Sequence, residues 1–275
     1  MLSRAQIQRF YLQWAPSEAH RSWPGLWCKQ FKVRTCGDVF VSLNKIRPRL
    51  GFGSLRRLCL ELAPANVYMS ALSWLMPERV ADKRASTGAY PVGGEYVVDV
   101  DSYLDHRPHA HRLTEEGVCE GCLLDSKRLA ERLLDEIEEN YSNIKIVFSG
   151  KSGFHIHVLD FEVRDWALYR EKNPLKSHEV ARFRYTMHLS EVVGGFDRHH
   201  FIVSSDVMRV ITFPESLNAS TGLICSCLGS PHEFRDTTIS LVLRRSRSAR
   251  GVVSGASWVS MDQLDVHPEP LTRGR

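Results

Sequence analysis

Nowhere does the 275-residue chain hold an uninterrupted apolar run of the roughly 18 residues a membrane-crossing helix requires, so no membrane association is expected. No secretory leader is expected either. Met1-Leu2-Ser3-Arg4-Ala5-Gln6 runs into a polar amphipathic stretch instead of an apolar block. The expected setting is therefore cytoplasmic (nucleoid-associated) or nuclear. Strong charge of either sign is missing: 36 basic against 32 acidic residues leave a formal net charge of +4, which permits a nucleic-acid partner without demanding one. The seven cysteines form an odd set without an export signal, so structural disulfides are not expected. Internal repeats and long low-complexity linkers are absent too, which excludes solenoid and tandem-module architectures.

What remains is a composition of 43% hydrophobic and 25% charged residues, that of an ordinary globular protein able to bury a sizeable core. Residues 1 to about 20 show helical spacing at Ile7, Phe10, Tyr11 and Trp14. Short strands are expected at Phe31–Val33, Val39–Leu43 and Asn66–Ser70, with a loop holding one helical turn from Trp74 to Gly94. A strand then covers Glu95–Asp101. A helix N-capped by Asp125 carries the stripe Leu129, Ala130, Leu133, Leu134 and Ile137. Ile144–Phe148 and Phe154–Leu159 read as paired strands around a glycine turn, and 175–193 as a helix. Further strands are expected from Phe201-Ile202-Val203, at Val210–Phe213 and over Thr238–Leu243. This interleaving indicates a mixed α+β (α/β) class and a single domain over 1–275.

Three constellations carry chemistry. In Val98-Asp99-Val100-Asp101, strand alternation sends the valines to one face and both carboxylates to the other. Adjacent carboxylates repel, and a cation between them is the usual reason such a pair persists; exposed carboxylates on an open sheet face are the plain alternative. In Ser149-Gly150-Lys151-Ser152-Gly153-Phe154-His155, the glycines free the backbone to approach a phosphate, and Ser149, Lys151, Ser152 and His155 add donors. A P-loop is excluded, because its glycine spacing differs and its Lys-Ser/Thr leads into a helix instead of a strand. An ordinary hairpin is the alternative. Cys119-Glu-Gly-Cys122, preceded by His106, His109 and His111, offers half of a Zn²⁺ site within an embedded loop at 105–123; a redox pair is the rival. Cys225-Ser-Cys227 is assigned no role.

These constellations, in this order, resemble the small catalytic subunit of archaeal and eukaryotic DNA primase within the primase-polymerase superfamily, from about Asn66 to Leu228. Asp99 and Asp101 match its DxD motif, Ser149 to His155 its SGxxGxH motif, and Asp206, Arg209, Pro214, Ser216, Leu217, Thr221 and Gly222 its third motif. The Cys119 and Cys122 loop falls where the family carries a zinc knuckle. The resemblance implies mixed sheets flanked by helices, and primer synthesis on a single-stranded DNA template from NTPs or dNTPs. It also implies two Mg²⁺ or Mn²⁺ ions on Asp99, Asp101 and Asp206, with the triphosphate on Ser149, Gly150, Lys151, Ser152, His155 and Arg209. Structural Zn²⁺ would sit on His109, His111, Cys119 and Cys122, and a large primase subunit would complete a heterodimer.

Departures from the family pattern thin the positive charge: the base stands at Lys151 instead of Ser152, and Thr212, Asn218 and Ser220 replace residues that are usually basic. Basic groups at Lys45, Arg47, Arg49, Arg56 and Arg57, and at Arg244, Arg245, Arg247 and Arg250, are candidates for template binding. Two other readings stand beside priming: a primer-extending polymerase of a mobile element or of end joining, and a non-catalytic nucleic-acid-binding relative.

Overall fold

The computed structural model describes residues 2–15, 17–21, 23–80, 90–101, 111–162, 174–196 and 198–247. Helix α1 (Arg4–Gln13) starts at a capping box in which the Ser3 hydroxyl accepts from the Gln6 amide. It buries Ile7, Phe10 and Tyr11. After α2 (Glu18–Arg21), strands β1 (Lys29–Arg34) and β2 (Phe40–Ser42) lead to α3 (Phe52–Leu62) and the long β3 (Asn66–Trp74). Strands β4 (Pro91–Gly94) and β5 (Tyr96–Asp101) follow, then α4 (Glu120–Glu138), β6 (Ile144–Phe148), β7 (Gly153–Val158), α5 (Pro174–Val192) and α6 (Arg198–Ser205). The remainder is β8 (Val210–Thr212), β9 (Leu217–Asn218), β10 (Leu223–Ile224), β11 (Cys227–Gly229), α7 (Pro231–Asp236) and α8 (Ile239–Ser246).

All strand pairs are antiparallel. The first sheet runs β2-β1-β3-β4, with β8 also on β3; the second runs β11-β6-β7-β5, and β9 pairs with β10 apart from both. The expected mixed α+β class is borne out. Alternation along β5 is as the pattern required. Tyr96, Val98 and Val100 enter a core with α4, while Val97 joins the core formed by α1, α3 and the first sheet. Asp99 and Asp101 therefore lie on the side of the second sheet that turns toward the first.

One residue joins the two sheets. The chain passes from β4 to β5 through Glu95, whose amide donates to the Ala71 carbonyl (3.1 Å). Gly94 is required beside it, since a Cβ there would stand 2.8 Å from the Ala71 oxygen. The Glu95 carboxylate is buried and receives Lys29 Nζ of β1 (2.9 Å), His157 Nδ1 of β7 (2.8 Å) and the Trp23 indole N–H (3.4 Å). Arg182 of α5, also buried, donates to the Glu95 carbonyl.

Four expectations need correction. Asp125 is not an N-cap: α4 begins at Glu120 with Cys119 as its cap residue, and Asp125 is buried inside the helix. Leu123 carries the apolar stripe one turn further upstream, which is why the helix starts earlier. Phe201-Ile202-Val203 lies in α6, where His200 and Ser204 are buried and Ile202 is exposed, a helical period that overrides β-propensity. The segment from Thr238 is α8. Thr238 caps it, and Val242, Leu243 and Ser246 bury one face. The stretch from Trp74 to Gly94 is not simply loop, since β3 extends through Trp74 and β4 closes the sheet. Helix α3, with Leu55 and Cys59 buried one turn apart, was not anticipated.

Burial pushes the Glu95 carboxyl up, but Lys29 and His157 outweigh it and hold the group at about 2, below its ordinary 4.5. A carboxylate depressed on folding stabilises the fold fully above its unfolded value and loses that contribution as pH falls through its folded value. Glu95→Gln is thus expected to flatten the acid limb of the stability curve between about pH 4.5 and 2, read by urea unfolding at stepped pH. Lys29→Met, which strands the carboxylate, should cost about 3–5 kcal/mol at neutral pH.

Candidate active site

Strand register places the first two motifs side by side. Asp99 pairs with His155 and Asp101 with Gly153 across β5 and β7. Gly153 is obligatory there, because a Cβ would collide with the Val100 carbonyl oxygen. His155 Nε2 stands 3.5 Å from Asp99 Oδ1, and Ser152 Oγ donates to Asp101 Oδ1 (2.9 Å). From the third segment, Arg209 Nη2 donates to Asp99 Oδ2 (2.5 Å), a contact across 110 residues of chain.

The turn is a compact acceptor cradle. Ser149 Oγ accepts from the amides of Lys151 (3.4 Å), Ser152 (3.3 Å) and Gly153 (3.2 Å). Its floor is the third segment: Thr221 Oγ1 donates to the Gly150 carbonyl (2.7 Å), and the Cys225 thiol donates to the Ser149 carbonyl (3.2 Å). Burial pushes the Cys225 thiol well up, which keeps it a protonated donor. Lys151 is exposed at the tip of the turn.

Electrostatics separate the two carboxylates. Burial raises Asp99, but the Arg209 guanidinium outweighs burial and holds it below the ordinary value. Asp101 is raised by burial and by the Asp99 charge, with Ser152 opposing. Burial drives His155 down to about 3 against the pull of Asp99, so it acts as a neutral imidazole. Arg209 Nη1 and His155 Nδ1, both buried at the site, have no hydrogen-bond partner among the described residues. His200 of α6, buried and close enough to favour the ionised form of both aspartates, escaped sequence reading, because it matched no motif and the adjoining Phe201-Ile202-Val203 read as a strand.

Asp206 lies just past α6. It is exposed, and its Oδ1 accepts from the Met208 amide (2.8 Å). It shares a turn with Arg209, whose amide donates to the Asp206 carbonyl (3.4 Å). Among the described residues the one group of three side chains gathered to metal-ligand spacing is His111, Cys119 and Cys122, with ligand atoms within 4.8 Å of one another. His111 Nδ1 and Cys122 Sγ are 3.3 Å apart. Both cysteines sit at the start of α4, and the Ser126 hydroxyl one turn on lies between the Cys122 and Ser152 carbonyls (3.0 and 3.3 Å), so this loop abuts the cradle. His106, His109, Asp105 and Asp197 lie outside the described residues.

The basic groups are divided by the fold. Arg56 donates from Nε to the Tyr11 carbonyl (3.1 Å) and also to that of Leu12, closing the end of α1. Arg57 pairs with Glu61 (3.1 Å), and Arg247 with the buried Glu116 (3.0 Å). Lys45, Arg47 and Arg49 stay exposed, and Arg250 lies outside the described residues.

The family model for the DNA primase small subunit matches residues 98–230. DNA primase small subunit PriS of Pyrobaculum calidifontis is 31% identical over 199 residues, 62% of each chain. An uncharacterised DNA primase small subunit-like protein of Archaeoglobus fulgidus is 27% identical over 191 residues, 65% of this chain and 62% of that one. The match spans 62–64% of the length of the first curated relatives. In fold, the polymerase domain of Mycobacterium tuberculosis Ligase D, solved with DNA, superposes with a TM-score of 0.52 at 11% identity, covering 93% of both chains. Over residues 98–230 the chain is similar to the DNA primase small subunit family, and its curated relatives are archaeal proteins of that name. No helix among the described residues is long and apolar enough to cross a membrane.

Gly150 tests the cradle. Its φ is +81°, and a Cβ would stand 2.9 Å from Asn218 Cβ and 3.1 Å from Cys225 Sγ. Gly150→Ala should lose about 1–3 kcal/mol of stability in thermal unfolding, whereas Lys151→Ala, at the exposed tip, should change it by less than about 0.5 kcal/mol.

Proposed function

We infer that this chain is a nucleotidyltransferase that synthesises short primers on a single-stranded DNA template. The observation that carries the reading is the meeting, on one sheet face, of the Asp99 and Asp101 carboxylates with the Ser149–Gly153 cradle. The carboxylates suit Mg²⁺ or Mn²⁺: their oxygens are hard donors, and the Asp99 charge that raises Asp101 is a repulsion a divalent cation relieves. Asp99 and Asp101, with Asp206 as third ligand, would hold two such ions. When bound, these supply charge neutralisation at the transferring phosphate and a more acidic 3′-hydroxyl.

The protein's own groups position and neutralise. Arg209 keeps Asp99 ionised and presents its unpartnered Nη1 beside it, a donor suited to a phosphate oxygen. The amides of Lys151, Ser152 and Gly153 converge on one acceptor, the geometry a phosphate oxygen also satisfies. His155 contributes a neutral imidazole, and Lys151 a mobile positive charge at the mouth. Little proton chemistry is asked of the side chains; alignment of the nucleotide and the primer end does most of the work.

His111, Cys119 and Cys122, with His109 as fourth ligand, fit structural Zn²⁺. Thiolates and imidazole are its usual ligands, and the start of α4 favours a thiolate. Residues 1–275 would then form one catalytic unit with the 105–123 loop embedded in it. NTPs or dNTPs are the substrates of this reading, and a large primase subunit is its partner.

The direct test is synthesis on single-stranded template with no primer, run separately with NTPs and dNTPs. Product only when a primer is supplied would replace priming by primer extension. Asp101→Ala should reduce synthesis by roughly two to three orders of magnitude or more at unchanged thermal stability, as expected when a charge-stabilising group is removed. Full activity in Asp101→Ala, with Mg²⁺ present, would overturn the assignment. Elemental analysis of the purified chain should find close to one zinc, absent from Cys119→Ser together with a fall in melting temperature.

A further inference from the structure

Between the buried Leu43 and Leu50 the chain displays Lys45, Ile46, Arg47, Pro48 and Arg49, every one of them exposed. This loop is held rigidly. The fully buried Asn44 accepts from the Phe31 amide (2.5 Å) and stands within hydrogen-bonding distance of the Lys29 (3.2 Å) and Pro48 (3.0 Å) carbonyls through Nδ2. The Ile46 and Arg47 amides both donate to the Leu43 carbonyl (3.0 and 2.9 Å). A loop ordered by its own buried amide presents its cations at low entropic cost to a ligand.

Beside it stands Trp27, 53% exposed, on the short 3₁₀ turn before β1, with the Arg49 guanidinium 5.2 Å over its ring. Ile46 is 55% exposed next to these cations. An indole left half open to water, under the arginine of a loop whose three exposed cations make no ion pair among the described residues, is an unusual surface feature. Arg56 and Arg57, nearby in sequence, are occupied by the α1 carbonyls and by Glu61, so the charge available to a ligand is concentrated on the Trp27 side.

We propose that Trp27 with Lys45, Arg47 and Arg49 forms a binding platform for single-stranded nucleic acid, the indole stacking on an unpaired base while the three cations follow the phosphates. The chemistry selects this partner. Cations alone would suit any polyanion, but a half-open indole among them rewards a ligand that offers a flat π-face between phosphates. A duplex hides its base faces and would meet only the charges. The proposal deepens the reading of a single-stranded template and rests on it; it gives that strand a named contact on the first sheet, apart from the carboxylates and the cradle.

The test is fluorescence anisotropy of a labelled oligothymidylate on the full chain, without nucleotide or metal ion. Trp27→Ala should weaken binding roughly 5- to 150-fold, the range for loss of one stacked base, and Trp27→Phe should recover most of it. Changing Lys45, Arg47 and Arg49 together to Gln should flatten the log–log salt dependence by about 2, from roughly 0.7 for each phosphate contact on a single strand. A strand of the same length made of abasic sites should bind wild type and Trp27→Ala alike. Unchanged oligonucleotide affinity in Trp27→Ala, or an equal loss on the abasic strand and on duplex, would overturn the platform. Because the readout needs no synthesis, binding through Trp27 in a chain that never makes a primer would defeat only the functional reading. Normal priming with binding indifferent to Trp27 would defeat only the platform.

Discussion

Everything near the site depends on one buried carboxylate. Glu95 is where the chain leaves the first sheet and enters the second, and it is tied on every side: backbone to Ala71, carboxylate to Lys29 and His157, carbonyl to Arg182. A buried charge is costly unless every partner is present, so the network tolerates only one relative placement of β1, β7 and α5. Asp99 lies on the same strand, on the same face as Glu95 and Val97, and its height above the first sheet follows from that anchor. The histidine strand obeys the same constraint. His157 meets Glu95, and two residues along, on the same face, His155 meets Asp99.

The site itself balances charge in a place with little water. Asp99 is matched by Arg209, which arrives from the far end of the chain, while Asp101 accepts from the Ser152 hydroxyl and bears the repulsion. The segment from Asp206 to Gly222 serves both parts: Arg209 reaches the Asp99 carboxylate, Asn218 and Thr221 pack under the cradle, and Asp206 is exposed at the turn it shares with Arg209. The candidate metal loop is mechanically joined to the same turn through Ser126, so the order of that loop and of the cradle are linked.

Counting basic residues would have misjudged the surface. Arg56 and Arg247 stand in basic runs of sequence, yet one closes a helix end and the other neutralises a buried glutamate. Lys45, Arg47 and Arg49 of the Asn44-pinned loop are exposed, next to an open indole that no charge count would register.

From the sequence by itself came the α+β class, the alternation that puts Asp99 and Asp101 on one face, the turn between β6 and β7, and the stripe of α4, because each follows from a period of two or 3.6 and from glycine's freedom within a few residues. The same local signals misled where composition and period disagreed. Phe201-Ile202-Val203 and the start of α8 are rich in β-branched residues yet are helical, since their buried positions recur at helical spacing against neighbours that the sequence does not display. Only the tertiary structure decided that Glu95 is the hinge between sheets, that Arg209 and His200 reach the carboxylates, that His111 joins Cys119 and Cys122, and which arginines remain exposed. Those facts are pairings between residues far apart in the chain. Their energies depend on burial and distance, which exist only once the chain has folded.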